Sequence, residues 1–255
     1  MPSIFHRLRK KLLKENKIRS YLTYAIGEII LIVFGILIAL TINNWNQNRL
    51  NREKEQFYLE GLRSEFEQSH AKLLKLMEVN RLNYEESKKL AAYIHSSDKP
   101  GEKELSEMLY NAFSFEIDYN PNNSLLNEII NSGGLKMISN AALRSHLIQW
   151  ESRIQSIHRQ ESALREQREK LIDIFRTENA SIKTILDLAG VTPNAIGMEK
   201  RPNEQSNRSI LNSIAFENNL LIFILTGVST EETHYQPLLS EIETILTLID
   251  SGIKN

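Results

Sequence analysis

The rhythm of polar and apolar positions changes once, near residue 45. From Ile29 to Ile42 every position except Gly35 and Thr41 is apolar, and Glu28 is the only charged residue between Tyr24 and Ile42. As a helix, the stretch from Tyr24 to Ile42 is about 28 Å long, close to the roughly 30 Å hydrocarbon core of a bilayer. Tyr21, Tyr24 and Trp45 bracket the run, where interfacial aromatics gather. The pattern predicts a transmembrane helix over 21–45. Beyond it the apolar residues return at steps of three and four, the period of amphipathic helices.

The first such pattern covers about 46–96. Leu59, Leu62, Phe66, Leu73, Leu76, Leu90 and Ile94 share a stripe, with Ser69, Asn80, Asn83 and Ser87 as polar members and Gly61 as the one interruption. No Pro or Gly separates this stretch from the apolar run, so it is read as continuing from the membrane span. Lys99-Pro100-Gly101 ends it. A short helix follows over Glu102–Ser114. Phe115–Tyr119 alternates and reads as a short extended piece. Ser124 is placed to cap a helix that Gly133–Gly134 stops, and Ser139 or Asn140 to cap the next.

That next helix, about 140–178, is the most regular. Leu143, Leu147, Trp150, Ile154, Ile157, Glu161, Leu164, Arg168, Leu171 and Phe175 alternate by four and three. This is a coiled-coil-like seam, packed either within the chain against 46–96 or between subunits. Glu161 and Arg168 are candidates to pair across it, or to sit near solvent where the packing widens. Ile182, Ile185, Leu186 and Ala189 give another short helix, stopped by Gly190. Residues 191–208 have no periodicity and read as a mobile distal loop. Helices close the chain at about 209–227 and 230–251. Ser229-Thr-Glu-Glu232 reads as a capping box and Pro237 as a kink or restart. The fold class is all-α: one N-terminal transmembrane helix, then an extracytoplasmic antiparallel helical bundle over 46–255.

Charge orients the span. Arg7, Arg9, Lys10, Lys11, Lys14, Lys17 and Arg19 stand against Glu15 alone before it, whereas Arg49, Arg52 and Lys54 are diluted by Glu53 and Glu55 after it. The positive-inside rule puts the basic segment 1–20 in the cytoplasm. This segment is also amphipathic, with Ile4, Phe5, Leu8, Leu12 and Leu13 at helical spacing. It either lies on an anionic leaflet or only sets topology. No small-x-small site follows the run, so it is read as an uncleaved signal anchor. The expected location is a bacterial inner membrane, single-pass, with the C-terminal domain periplasmic.

Within the span, Ala25, Glu28, Ile32, Gly35, Ala39 and Ile42 share one helix face, and Gly35-x-x-x-Ala39 allows close approach of a second backbone. The expected partners are the lipid bilayer and, through this face, another protein or a second copy of the chain.

YAIGEIILIVFGILIALTINNWNQNR resembles the N-terminal signature of a single-pass membrane family of Bacteroidota-type bacteria, catalogued as a domain of unknown function. NPNNSLLNEIINSGGLKMISNAALRSHLIQW, from Asn120 to Trp150, is similar to that family's central motif. It departs from the motif at Gly133–Gly134, where a single Gly and a polar residue are expected, and at Gln149–Trp150, where aromatics are expected. The resemblance implies location and architecture and supplies no activity.

Composition narrows the chemistry. The chain is near neutral at −1, and with its basic N-terminal segment set aside the remainder is acidic, which argues against nucleic acid as a partner. With no cysteine there is no disulfide, thiol nucleophile or thiolate metal site. His6, His70, His95, His146, His158 and His234 have no metal spacing; His158-x-x-Glu161 comes nearest. No phosphate loop, nucleophile elbow or dinucleotide fingerprint occurs. No catalytic residue, cofactor or metal is therefore assigned. Three roles remain: a non-catalytic scaffold holding a partner near the membrane, a sensor or ligand-binding module signalling through a partner, and a motor-type or proton-channel subunit resting on Glu28.

Overall fold

The computed structural model describes residues 18–176, 180–200 and 202–253. The basic segment expected at 1–20 falls, for residues 1–17, outside the described residues. So do the side chains of Tyr21 and Tyr24. The regular elements among the described residues are all helices, with no strand. The chain divides into two compact units, Met1–Glu55 and Gln56–Asn255.

Helix α1, Ile18–Ile94, contains the apolar run and also the first long helix of the second unit. In the first unit its large apolar side chains from Ile29 to Ile42 are 47–74% exposed. The most apolar window has a mean hydropathy of 2.7 and none of it is buried. By length and composition it is able to cross a membrane. The Thr41 hydroxyl donates to the Leu37 carbonyl 2.8 Å away, so the polar group within the run is satisfied by its own helix.

The second unit is built from the rest of α1 and six further helices: α2 (Glu102–Phe113), α3 (Ser124–Asn131), α4 (Ala141–Phe175), α5 (Ile182–Leu188), α6 (Ile214–Ser229) and α7 (Gln236–Gly252). Its core takes Leu59, Leu62, Phe66, Leu73, Met77 and Leu90 from α1. Met77 is buried where Leu76 was expected, and Leu76 packs at the margin. Leu143, Leu147, Trp150, Ile154, Ile157, Leu164, Leu171 and Phe175 of α4 are each at most 5% exposed. They face partners within the chain. α4 packs along α6 and α7, and the Trp150 ring meets Phe66 of α1 edge-on at 4.9 Å. Phe175, Phe113, Phe216 and Phe223 tie α4, α2 and α6 together.

Several local expectations change. The described part of α4 ends at Phe175, and residues 177–179, on which the expected end at 178 falls, are not described. Phe115–Tyr119 forms no strand; it belongs to an irregular segment between α2 and α3. Ser124 does not cap α3. Asn123 holds the cap position without a side-chain bond, and the Glu65 carboxylate of α1 instead accepts from Leu125 N and Leu126 N. Asn140 does cap α4, its Oδ1 accepting from Ala142 N and Leu143 N. Gly133, at φ +69°, ends α3 in the left-handed conformation that glycine adopts without a Cβ penalty.

Ser229-Thr-Glu-Glu232 is not a capping box. Ser229 has helical dihedrals, and α6 runs through a π-helical turn at Thr230–Tyr235 into α7. The wider turn comes just before Pro237, which lacks an N–H to give to a helix. The loop expected at 191–208 contains a π turn at Thr192–Ile196. Its far end is tied down: Asn207 N donates to Glu102 2.7 Å away, and Asn207 Oδ1 accepts from Ser181 N at 2.7 Å.

Trp150→Ala is expected to lower unfolding free energy by about 3–5 kcal/mol, the cost of deleting a fully buried aromatic whose space cannot collapse. Denaturant titration of the full chain in detergent micelles measures it, and a loss under 1 kcal/mol contradicts the packing described.

Candidate functional site

The distinctive chemistry lies where the irregular segment 114–123 crosses between α1 and α4. A crossing chain has no helix or ladder to satisfy its peptide groups, so side chains must do it. The polar members of the α1 stripe are placed for this. Asn83 Nδ2 donates to Phe115 O at 3.2 Å. Ser69 Oγ accepts from Asn122 N at 2.9 Å, and the Tyr119 hydroxyl donates to Ser69 O at 3.1 Å. Lys72 Nζ reaches Asn120 O at 3.0 Å and also meets Asn122 Oδ1. From the other side, Arg168 Nε of α4 donates to Phe113 O at 2.7 Å.

Glu161 is the centre of this arrangement. It sits on the apolar seam of α4, yet only 2% of it is exposed. It neither pairs with Arg168 nor reaches solvent, as the sequence pattern suggested; Arg168 bonds to Phe113 O and to Glu169. Glu161 Oε1 accepts from Tyr119 N at 3.0 Å and from the Tyr235 hydroxyl at 2.6 Å. Burial pushes its carboxyl above the usual carboxylate range, the two donors work against that shift, and nearby Asp118 adds to it. Burial likewise raises both tyrosines, with Glu161 adding to the shift at Tyr235. Neither hydroxyl loses its proton near neutrality, so both stay donors.

Asp118, His158 and Glu161 present ligand atoms within 4.8 Å of one another, which adds Asp118 to the His158-x-x-Glu161 spacing. Part of this donor set is already engaged. His158 Nε2 lies 3.0 Å from Tyr119 O, and Glu161 Oε1 holds two hydrogens. The group acts as a hydrogen-bond hub that clamps Tyr119.

A second polar knot joins α1 to the π turn. Buried Glu231 takes Arg81 NH2 at 2.7 Å and Asn80 Nδ2 at 3.1 Å, and Asn80 Nδ2 also donates to Gly227 O. Gly227 allows this approach, because a Cβ there would lie 3.1 Å from Tyr84 Cβ. Glu241 of α7 receives His146 and Arg153 from α4. An open depression of about 330 Å³ adjoins the crossing, lined by Lys72, Lys75, Leu76, Val79, Asp118, Tyr119 and Asn120.

The membrane-face residues show no such convergence. Ala25 and Glu28 are half-buried in the described chain, and Ile32, Gly35, Ala39 and Ile42 are exposed. No side chain lies within 4 Å of where a Gly35 Cβ would be. Glu65, Tyr119, Glu231 and Tyr235 did not stand out in the sequence. The available signal was the set of polar residues on the inner stripe of α1, which needed partners.

Among its described residues the chain is thus all-helical, with one long apolar helix able by length and composition to cross a membrane and a second unit pinned by a buried polar crossing. It belongs to the DUF6090 family, a family of unknown function, whose model matches residues 28–155. No curated protein and no solved structure matches it. The matched region holds the apolar run, the crossing and the first part of α4; Glu161 and Tyr235 lie beyond it.

Tyr235→Phe is expected to cost about 1–2 kcal/mol, because it strips one of two donors from a buried carboxylate. Denaturant unfolding of the full chain checks this; an unchanged midpoint would mean that the Tyr235–Glu161 bond contributes nothing.

Proposed function

We propose that this chain is a single-pass membrane protein of the bacterial inner membrane whose outer helical domain serves as a non-catalytic scaffold, holding a protein partner or a second copy near the bilayer. The observation that carries the reading is the exposure of the Ile29–Ile42 run, which no described residue buries. Lipid removes that apolar surface from water. The basic excess before the run supports an N-terminus in the cytoplasm and a periplasmic domain after it. The seam of α4 supports an antiparallel bundle with coiled-coil-like packing in that domain. The Ala25–Glu28–Ile32–Gly35–Ala39–Ile42 face is the surface offered to the partner helix. The kinship with Bacteroidota-type membrane proteins, read from the YAIGEIILIVFGILIALTINNWN signature, agrees with this placement.

A second reading, a ligand-binding module that signals through a partner, draws on the depression beside the crossing, where Lys72, Lys75 and Asp118 stand over Leu76 and Val79. The motor-type or proton-channel role rests on Glu28 alone.

A photoreactive residue at Ile32 or Ala39, activated in the native membrane, is expected to yield protein adducts. Adducts with lipid only would overturn the packing role of this face. Glu28→Gln is expected to leave those adducts unchanged; their loss would move the proton-linked role ahead of the scaffold.

A further inference from the structure

A cavity of about 10 Å³ lies where α1, the crossing segment, α4 and α6 meet, bordered by Asn83, Ile117, Glu161, Leu164 and Phe223. It has room for one water. Two of its bordering acceptors, Asn83 Oδ1 and Glu161 Oε2, are buried without a partner. Neither residue can turn away. Flipping the Asn83 amide would set its oxygen against the Phe115 carbonyl, which its nitrogen now serves. Glu161 is held through Oε1 by Tyr119 N and the Tyr235 hydroxyl. Two acceptors beside one small cavity need hydrogens that neither supplies, and the enclosure of Glu161, 2% exposed, disfavours a charge on its carboxyl.

We propose that Glu161 is a proton-binding latch of the outer domain, in which the protonated carboxyl donates from Oε2 into the cavity and one water relays that bond to Asn83 Oδ1. With the proton bound, α1, the crossing segment, α4 and the π turn share a fully satisfied network. With the proton lost to solvent, a charge sits in a buried site. This goes beyond the scaffold reading and does not rest on it.

The charged groups around the latch are accounted for. Arg165 of α4, which also borders the cavity, meets two carboxylates, Glu116 and Asp118, so its charge is already spent. Its Nε is the atom that faces Glu116 Oε1, so its one hydrogen is directed to that carboxylate and away from Glu161. Arg168 is occupied by Phe113 O and Glu169. His158 lies at Tyr119 O, and Glu231 of the π turn is held by Arg81 and Asn80. Because burial raises the Glu161 carboxyl in the folded chain, the folded state keeps its proton where the unfolded state has released it. Stability is therefore present below the ordinary carboxylate range and falls as pH rises above it.

The test compares the full chain and Glu161→Gln in detergent micelles, by denaturant unfolding from pH 4 to pH 9. The unfolding constant of the unaltered chain is expected to rise relative to that of Glu161→Gln by up to about tenfold per pH unit within the titration, the limit for one proton. Infrared spectra should also show a protonated-carboxyl carbonyl band that persists above the ordinary carboxylate range and that Glu161→Gln lacks. Parallel pH profiles, or the same band in both proteins, overturn the proposal. If Glu161→Gln does not fold, Tyr235→Phe reads the same site: removing a donor to the ionised form should move the band's titration to higher pH, and an unmoved titration overturns the latch.

Discussion

Nearly everything specific about the second unit depends on one backbone constraint. Between Phe113 and Ser124 the chain crosses from α2 to α3 without regular structure, and it does so partly inside the protein, with Ile117 and Tyr119 at 5% and 1% exposure. Its peptide groups have no helix or ladder of their own, and an orphaned buried N–H or C=O costs about 1–3 kcal/mol. The flanking helices give up core positions to supply partners. Ser69, Asn83 and Glu161 stand where an uninterrupted apolar stripe would have placed Leu or Ile, and each bonds to the crossing. Glu65 does the same at the next step, taking two free N–H groups at the start of α3. A hydrophobic replacement at any of these positions gains apolar burial and strands a backbone group, so the gain is offset at the crossing.

This explains how much could be read from the sequence. Stripes with three-four spacing are properties of a helix face alone, so α1 and α4 were legible to within a few residues. Ser69, Asn80, Asn83 and Glu161 were legible as positions and not as purposes, because their partners lie about 30 to 150 residues away along the chain. Glu161 shows the difficulty best. A carboxylate on a seam reads as an ion-pair member or as a sign of nearby solvent, and nothing local announces that Tyr119 N and the Tyr235 hydroxyl will meet it. Local signals also failed where tertiary contacts replaced them. Ser124 had the residue type of a cap but Glu65 does the capping, and the Ser229–Glu232 pattern lies in a helix that widens into a π turn and continues.

The two units treat a carboxylate on an apolar stripe in opposite ways. In the second unit Glu161 is enclosed and finds donors within the chain. In the first, Glu28 lies on the Ala25–Ile42 face and has no partner among the described residues. A carboxylate at the edge of an apolar run is costly in hydrocarbon unless it reaches headgroups or is met by a donor. Since the described chain offers it none, any such donor comes from lipid, from the basic segment or from another helix. The same face carries Gly35 and Ala39, which leave room for a backbone to approach. A second helix on this face would supply a donor to Glu28 and fill the space beside Gly35 and Ala39 at once, and the proposed partner rests on that pair of needs, whatever the second unit binds.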